Sequence, residues 1–470
     1  MPRLVIVSNR VADPRRPSAG GLAVALGDAL QGRGGLWFGW SGHIIREGQP
    51  VEEALHVQQT GSVTLATVDL SQEEHDGYYL GYSNGVLWPV FHNRLDLADL
   101  DAGFVGSYRR VNQLFARQLK ALLRPDDIVW VHDYHLIPLA LELRTLGCAQ
   151  RMGFFLHIPM PPPLLLAAIP QADWLVRALF SYNLVGFQSQ GDLAHFASYA
   201  EVEAGARRLD GQRWQAYGRT LQAASFPIGI DVDDFAALTH AAEARDMYER
   251  MRQAYAGRRI LLGVERLDYS KGLPQRFKAF AKLLKNHPEN IRSTTLIQIV
   301  SPSREALVSY SGLRQELESL TGALNGDYGE LDWVPVRYMH RNVARRRLPG
   351  LYRLARVALV TPLRDGMNLV AKEFIAAQDP ADPGVLVLSR FAGAAEQLKE
   401  ALLVNPYDTD GTCETIQQAL HMPLTERQRR HQKLLERIRA QDVHWWRRTF
   451  LEALTATQGD DHRVALPSLA

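Results

Sequence analysis

Short runs of β-branched and aromatic residues alternate along this chain with longer stretches whose apolar positions recur every three or four residues. That rhythm predicts parallel strands joined by crossover helices, the layering of an α/β protein. In the first half, strands are expected at 4–9 (LVIVSN), 128–132 (IVWVH), 152–157 (MGFFLH) and 184–188 (LVGFQ). The second half repeats the series at 260–265 (ILLGVE), 295–300 (TLIQIV), 357–363 (VALVTPL) and 385–389 (VLVLS). Between them, YRRVNQLFARQLKALL (108–123) and PQRFKAFAKLLKNHP (274–288) carry the helical period, whereas PMPPP (159–163) reads as a loop. Two such series imply two sheets and two domains, and 470 residues are more than one core organises. The Pro-Gly bend in PIGIDVDDF (227–235) places the boundary, giving domains 1–229 and 230–442. The segment VHWWRRTFLEALTA (443–456) reads as an amphipathic helix with an aromatic face, and residues 443–470 are expected to pack back on the first domain.

Composition narrows the partners. A net charge of +2 argues against a broad footprint for nucleic acid or for an anionic membrane, so any bound anion must be held locally. The two cysteines, Cys148 and Cys413, lie far apart without ligand spacing, which points to a reducing compartment with no disulfide framework or zinc motif. No run reaches the ~18 to 20 apolar residues of a membrane span, and the opening MPRLVIVSNR is too short for a secretion signal. A cytoplasmic location is expected.

In open parallel sheets, ligands lie beyond the carboxyl ends of the strands. After the first strand come Ser8, Asn9 and Arg10, then SAGGLAVAL (18–26), where Gly20 and Gly21 precede a helix and can meet an anion closely; plain turn chemistry is the alternative for the glycines, and a helix cap or surface ion pair for Arg10. Arg266 and Lys271 in VERLDYSKG (264–272) can converge on a diphosphate; a solvated loop with two unrelated cations is the plainer alternative. In RDGMNLVAKE (364–373), a helix starting near Met367 to Leu369 would offer unpaired N–H donors, with Asp365 at the mouth and Glu373 about two turns in; ordinary capping is the alternative. HDYH (132–135) has ligand-type residues, but neighbours in a strand face opposite sides. DVDD (231–234) reads as a helix cap rather than a metal motif, and RRR (345–347) as a solvated face or partly a nucleotide rim. Trp445 and Trp446 read as packing, and Trp37 and Trp40 as either acceptor wall or core.

In this order, VSNR with AGGL, YSNGVLWP, HDYHL, FFLHIPMP, GVERLDYSKGLPQR and TPLRDGMNLVAKEF resemble the trehalose-6-phosphate synthase family of retaining glycosyltransferases, from residue 3 to about 407. The resemblance implies a GT-B fold, two facing Rossmann-like domains with parallel sheets and an interdomain cleft, in the single-function bacterial form without a phosphatase-like domain. It implies transfer of glucose from UDP-glucose to glucose 6-phosphate with retention, giving α,α-trehalose 6-phosphate and UDP. Carried onto matching positions, the donor set is Gly21, Arg266, Lys271, Val343, Asp365, Gly366, Met367, Asn368, Leu369, Val370, Ala371, Lys372 and Glu373. Within it, Glu373 takes the ribose, Asp365 the donor glucose, and the uracil lies near Val343. The acceptor set is Arg10, Tyr79, Trp88, Asp133 and Arg304, with Arg10 and Arg304 on the 6-phosphate. Arg266, Lys271, Asp133 and His157 are the catalytic candidates, the cations offsetting the charge of the departing diphosphate and the other two positioning and polarising. The nucleotide sugar is a substrate; no cofactor or metal is expected, nor any nucleic acid or membrane partner, and a homo-oligomer (dimer or tetramer) is left open. Two alternatives stay open: a related transferase using glycerol 3-phosphate or a cyclitol phosphate as acceptor, and a non-catalytic sugar-phosphate sensor.

Overall fold

The computed structural model describes residues 2–12, 26, 27, 30, 34–45, 55–303 and 308–457; Gly20, Gly21 and Arg304 lie outside the described residues. The chain forms two units. One runs to Phe226 and resumes at Arg447, and the other is Pro227–Trp446.

The first unit is built on a ten-stranded sheet. Its strands are β1 (Leu4–Arg10), β2 (Gly35–Ile45), β3 (Leu55–Thr60), β4 (Val63–Ser71), β5 (Ile128–His132), β6 (Arg151–Phe155), β7 (Leu184–Phe187), β8 (Arg207–Arg208), β9 (Arg213–Ala216) and β10 (Arg219–Ser225). Their order is β3-β4-β2-β1-β5-β6-β7-β10-β9-β8, parallel from β4 to β10 with antiparallel pairs only towards the edges. Leu4 to Val7 are buried, as expected of a central strand covered on both faces. In register, Ser8 of β1 lies beside His132 of β5, and His132 beside Phe155 of β6. The residues that follow these strands therefore emerge together. The sequence pattern had not signalled β2, β3 or β4, which extend the sheet on the β1 side.

The second unit has six parallel strands: β11 (Arg259–Arg266), β12 (Thr294–Ser301), β13 (Val336–His340), β14 (Val357–Val360), β15 (Val385–Ser389) and β16 (Leu402–Val404). The order β13-β12-β11-β14-β15-β16 is that of the dinucleotide-binding fold, with the direction of winding reversing between β11 and β14. After α1 (Ala102–Lys120), four helices matter below: α2 (Leu273–Asn286), α3 (Leu369–Ala377), α4 (Thr409–Leu420) and α5 (Val443–Ala456). Asp231 accepts from the Asp234 N–H at 2.9 Å at the start of a helix, so DVDD does act as a cap.

From Arg447 onward, α5 belongs to the first unit. There Phe450 is fully buried, stacked on Trp130 (centroids 4.7 Å apart, 14° between planes) and edge-on to Phe155 and Phe226. Two glycines make room for it: a Cβ on Gly153 would come within 2.9 Å of the Phe450 ring and Leu454, and one on Gly186 within 2.8 Å of Phe450. Truncating a ring enclosed on all sides leaves a cavity, so Phe450→Ala should destabilise the unit by about 3–5 kcal/mol, read as a lowered denaturation midpoint. A midpoint unchanged from wild type would show that α5 does not support this core.

Candidate functional site

In the second unit the site grows from the ends of β11 and β14, at the reversal of winding. Beyond exposed Arg266, the chain turns on Asp268, whose carboxylate accepts from the Ser270 N–H (2.9 Å) and the Tyr310 hydroxyl (3.0 Å). Gly272 then adopts φ 64°, with the space a Cβ would need already filled by the Thr361 carbonyl oxygen. Only glycine suits both demands. This turn delivers the Lys271 ammonium to Asp365, which it meets at 2.7 Å, and Asn368 Nδ2 donates to the same carboxylate oxygen at 3.0 Å.

Asn368 has φ 87°, a left-handed conformation tolerated by few residues other than Gly, Asn and Asp. From it the side-chain oxygen accepts from the Ala371 N–H (3.2 Å) and caps α3. The N–H groups of Leu369 and Val370, at the first two positions of α3, have no acceptor among the described residues. Two open donors at a helix start beside an ammonium make a strong local anion site.

Glu373 enters one turn into α3, not two, because the helix starts at Leu369. Its carboxylate accepts from the Tyr352 hydroxyl at 3.2 Å, and burial pushes its pKa up to about 7 against the opposing pull of Arg345. Ala371 and Lys372 do not face the mouth of the helix. Both are fully buried, and Lys372 donates inward to the Ile228 carbonyl (2.6 Å) and Gln397 Oε1 (2.7 Å). No carboxylate among the described residues pairs with it, and burial lowers its pKa to about 7. Gly366 is packed under Gly393, and Met367, 3% exposed, accepts from the Ala394 N–H through its carbonyl. Val343 lines a cavity of about 740 Å³ with Met251, Tyr255 and Trp333; Lys271, Asp365 and Glu373 are not among its lining residues.

Beneath the cluster lies a buried polar group that the motif reading did not single out. Arg276 of α2 donates to Thr361 Oγ1 (3.0 Å) and Gln298 Oε1 (2.8 Å) and forms an ion pair with Glu265. Burial raises the Glu265 pKa while Arg276 pulls it down. The one readable sign was Gln298, a polar residue inside the otherwise apolar run TLIQIV.

In the first unit, the candidates gather past β1, β5 and β6. The Arg10 guanidinium lies over the Trp40 ring (5.8 Å), Trp40 meets Tyr79 (5.9 Å), and Tyr79 stacks on His135 (5.9 Å, 11°). Tyr79 rides on a π-helical stretch, His75–Leu87, a winding that is rare and frequent at functional sites. Trp88, directly after it, is 5% exposed and 5.7 Å from Tyr134, set deeper than the other candidates.

Asp133 has φ 75°; its N–H donates to the Phe155 carbonyl (2.8 Å) and its carboxylate accepts from the His157 N–H (3.1 Å). That pairing pins the loops after β5 and β6 to each other and holds a strained residue in place, a feature that concentrates at functional sites. The His157 ring is bracketed: Nδ1 accepts from the Gln188 amide (3.3 Å), which leaves Nε2–H to donate to His132 Nδ1 (3.1 Å). Burial lowers the pKa of His157 to about 3 and that of His132 as well, so this pair is neutral near pH 7.

The family model for glycosyltransferase family 20 matches residues 7–456. A trehalose-6-phosphate synthase of Sinorhizobium fredii is 48% identical over 461 residues, 97% of this chain and 99% of that protein. A crystal structure of an alpha,alpha-trehalose-phosphate synthase (UDP-forming) from Burkholderia xenovorans, in complex with glucose-6-phosphate, has a TM-score of 0.92 at 48% identity, covering 96% of this chain and 100% of that one. An E. coli structure bound with UDP-2-fluoro glucose has a TM-score of 0.92 at 43% identity, covering 97% and 99%. A model matching almost the whole chain, and relatives this similar over their whole length, leave one conclusion: the chain belongs to glycosyltransferase family 20.

Proposed function

We propose that this protein transfers the glucosyl group of UDP-glucose to glucose 6-phosphate with retention at the donor carbon, releasing UDP and α,α-trehalose 6-phosphate. The observation that carries this reading is the Lys271 ammonium beside two open N–H groups of α3 at the winding reversal. Such a place suits a diphosphate. Relatives solved with glucose-6-phosphate and with UDP-2-fluoro glucose support the choice of substrates.

In this reading the diphosphate takes Arg266, Lys271 and the N–H groups of Leu369 and Val370, and Glu373 accepts from the ribose hydroxyls. Asp365 accepts from the donor glucose while Lys271 and Asn368 hold its carboxylate still. As the anomeric C–O bond breaks, negative charge grows on the leaving phosphate, and fixed cations and amide donors stabilise it without reorganising. The acceptor hydroxyl attacks on the same face and gives its proton to the departing phosphate oxygen, so no protein nucleophile is needed. Arg10 meets the 6-phosphate, Tyr79 offers an aromatic wall, Asp133 positions the acceptor sugar, and His157 sits beside the donor glucose near the bond being exchanged. His157, neutral and hydrogen-bonded at both nitrogens, orients rather than acting as an acid. Arg304 and Gly21 keep their assigned places from the resemblance alone.

UDP release, measured with glucose 6-phosphate against glycerol 3-phosphate and a cyclitol phosphate, tests the assignment. Preference for glucose 6-phosphate is expected; preference for another acceptor would redirect it, and binding without release would make the protein a sensor.

Arg266→Ala and Lys271→Ala should each lower kcat/KM by ~10²-fold or more with little loss of melting temperature. Equal loss of stability and turnover would make these residues structural. Glu373→Gln should raise the KM for UDP-glucose about tenfold, the worth of hydrogen bonds to a charged acceptor. Because the folded pKa of Glu373 is raised, its contribution to stability is complete at low pH and is lost as pH rises through about 7. The wild type should therefore lose melting temperature relative to Glu373→Gln between pH 4.5 and about 7, and parallel curves would refute the assignment.

A further inference from the structure

At the end of α2 opposite Lys271, the second unit brings together three side chains of metal-binding type. His287 follows the last residue of α2, and Cys413 and Glu414 lie in the second turn of α4. His287 Nε2 stands 3.0 Å from Glu414 Oε1, Cys413 Sγ is 3.8 Å from that same oxygen, and the three ligand atoms all lie within 4.8 Å of one another. A tetrahedral zinc ion, with ligands at ~2.0–2.3 Å, separates its donors by roughly 3.2–3.8 Å. The cluster needs little adjustment to close on one. We propose that His287, Cys413 and Glu414 form a binding site for a thiophilic divalent cation of the zinc class, clipping the end of α2 to α4.

Four features support the assignment. One imidazole, one thiol and one carboxylate are a donor set for zinc rather than for magnesium or calcium, which take oxygens alone. An outer-ring carboxylate is within reach: Glu289 Oε1 lies 3.7 Å from the other nitrogen of His287, longer than a hydrogen bond, and accepts from Gln417 at 2.8 Å. A carboxylate behind a ligating histidine fixes its orientation and raises its basicity. The site lies at the C-terminal end of a 14-residue helix, where the aligned peptide dipoles favour a cation. Finally, Cys413 is buried, whereas the Glu414 side chain is 61% exposed and that of His287 22%, giving an ion a way in and room for a water as fourth ligand.

Binding exchanges the thiol proton for a sulfur–metal bond, with the proton released to solvent. Lys271 precedes the opposite end of α2, and 14 residues at 1.5 Å each span about 21 Å. The ion would thus stiffen the unit without entering the transfer chemistry.

Cobalt(II) added to the metal-free full-length protein is the direct probe. One equivalent should produce a thiolate-to-cobalt charge-transfer band that zinc(II) abolishes by displacement, and zinc should raise the melting temperature. Cys413→Ser should eliminate the band. His287→Gln and Glu414→Gln, on the more exposed ligands, should weaken binding by ~10-fold or more, and Glu289→Gln by ~10- to 100-fold. UDP release by these variants should match wild type, which keeps this test separate from that of the transferase. Absence of the band, or a band undiminished in His287→Gln and Glu414→Gln, would overturn the site.

Discussion

A single guanidinium ties together three neighbouring strands in the second unit. Through Glu265 on β11, Gln298 on β12 and Thr361 just past β14, Arg276 fixes the origins of the loops that carry Arg266, Lys271 and Asp365. The arrangement leaves no spare volume. A Cβ on Gly263 would collide with both Gln298 and Arg276, so the ionic cluster and a glycine inside the strand require each other. Charges this deeply buried add little net stability as a pair, yet removing one partner strands the other at a cost of about 3–5 kcal/mol. The return is positional: Lys271 and Asp365 leave the sheet from anchored ends and meet in one geometry.

The two units treat electrostatics differently. In the second, cationic and amide donors converge on one small volume, and Lys372 and Glu373, adjacent on α3, are both driven by burial towards a pKa of about 7 from opposite directions. In the first, rings dominate: Trp40, Tyr79 and His135 form a chain of contacts, and the paired His132 and His157 are uncharged. A sugar presents apolar ring faces and neutral hydroxyls, whereas a diphosphate presents concentrated charge. Under the proposed function, the contrast between the units follows the contrast between those two chemistries.

Legibility in the sequence tracked continuity of hydrophobic signal. IVWVH and VLVLS become β5 and β15 with unchanged limits, because buried parallel strands are near-uninterrupted apolar runs. GLWFGWSGHII was opaque: Gly35, Gly39 and Gly42 interrupt the pattern that forms β2, although Gly39 is there because the Ser8 carbonyl occupies the space of a Cβ. The π-helical winding at His75–Leu87 has no periodic signature that a helical count would detect. At the site, Lys271, Asp365 and Asn368 were readable because a strand, a turn and a helix start sit next to one another in sequence. The roles of Arg276 and of His287 with Cys413 were not, since their partners lie 11 to 127 residues away and only the fold brings them near.

The place of Phe450 bears on how the protein is made. The ring that completes the packing around Gly153 and Gly186 is specified by a codon read after the whole of the second unit has been translated. On the ribosome, the earlier unit therefore emerges with an apolar gap between β6 and β7 and must wait, partly open, for the last helix to arrive. During that wait the nascent chain exposes apolar surface that the completed fold buries, the stage at which a two-unit chain is most open to misassembly.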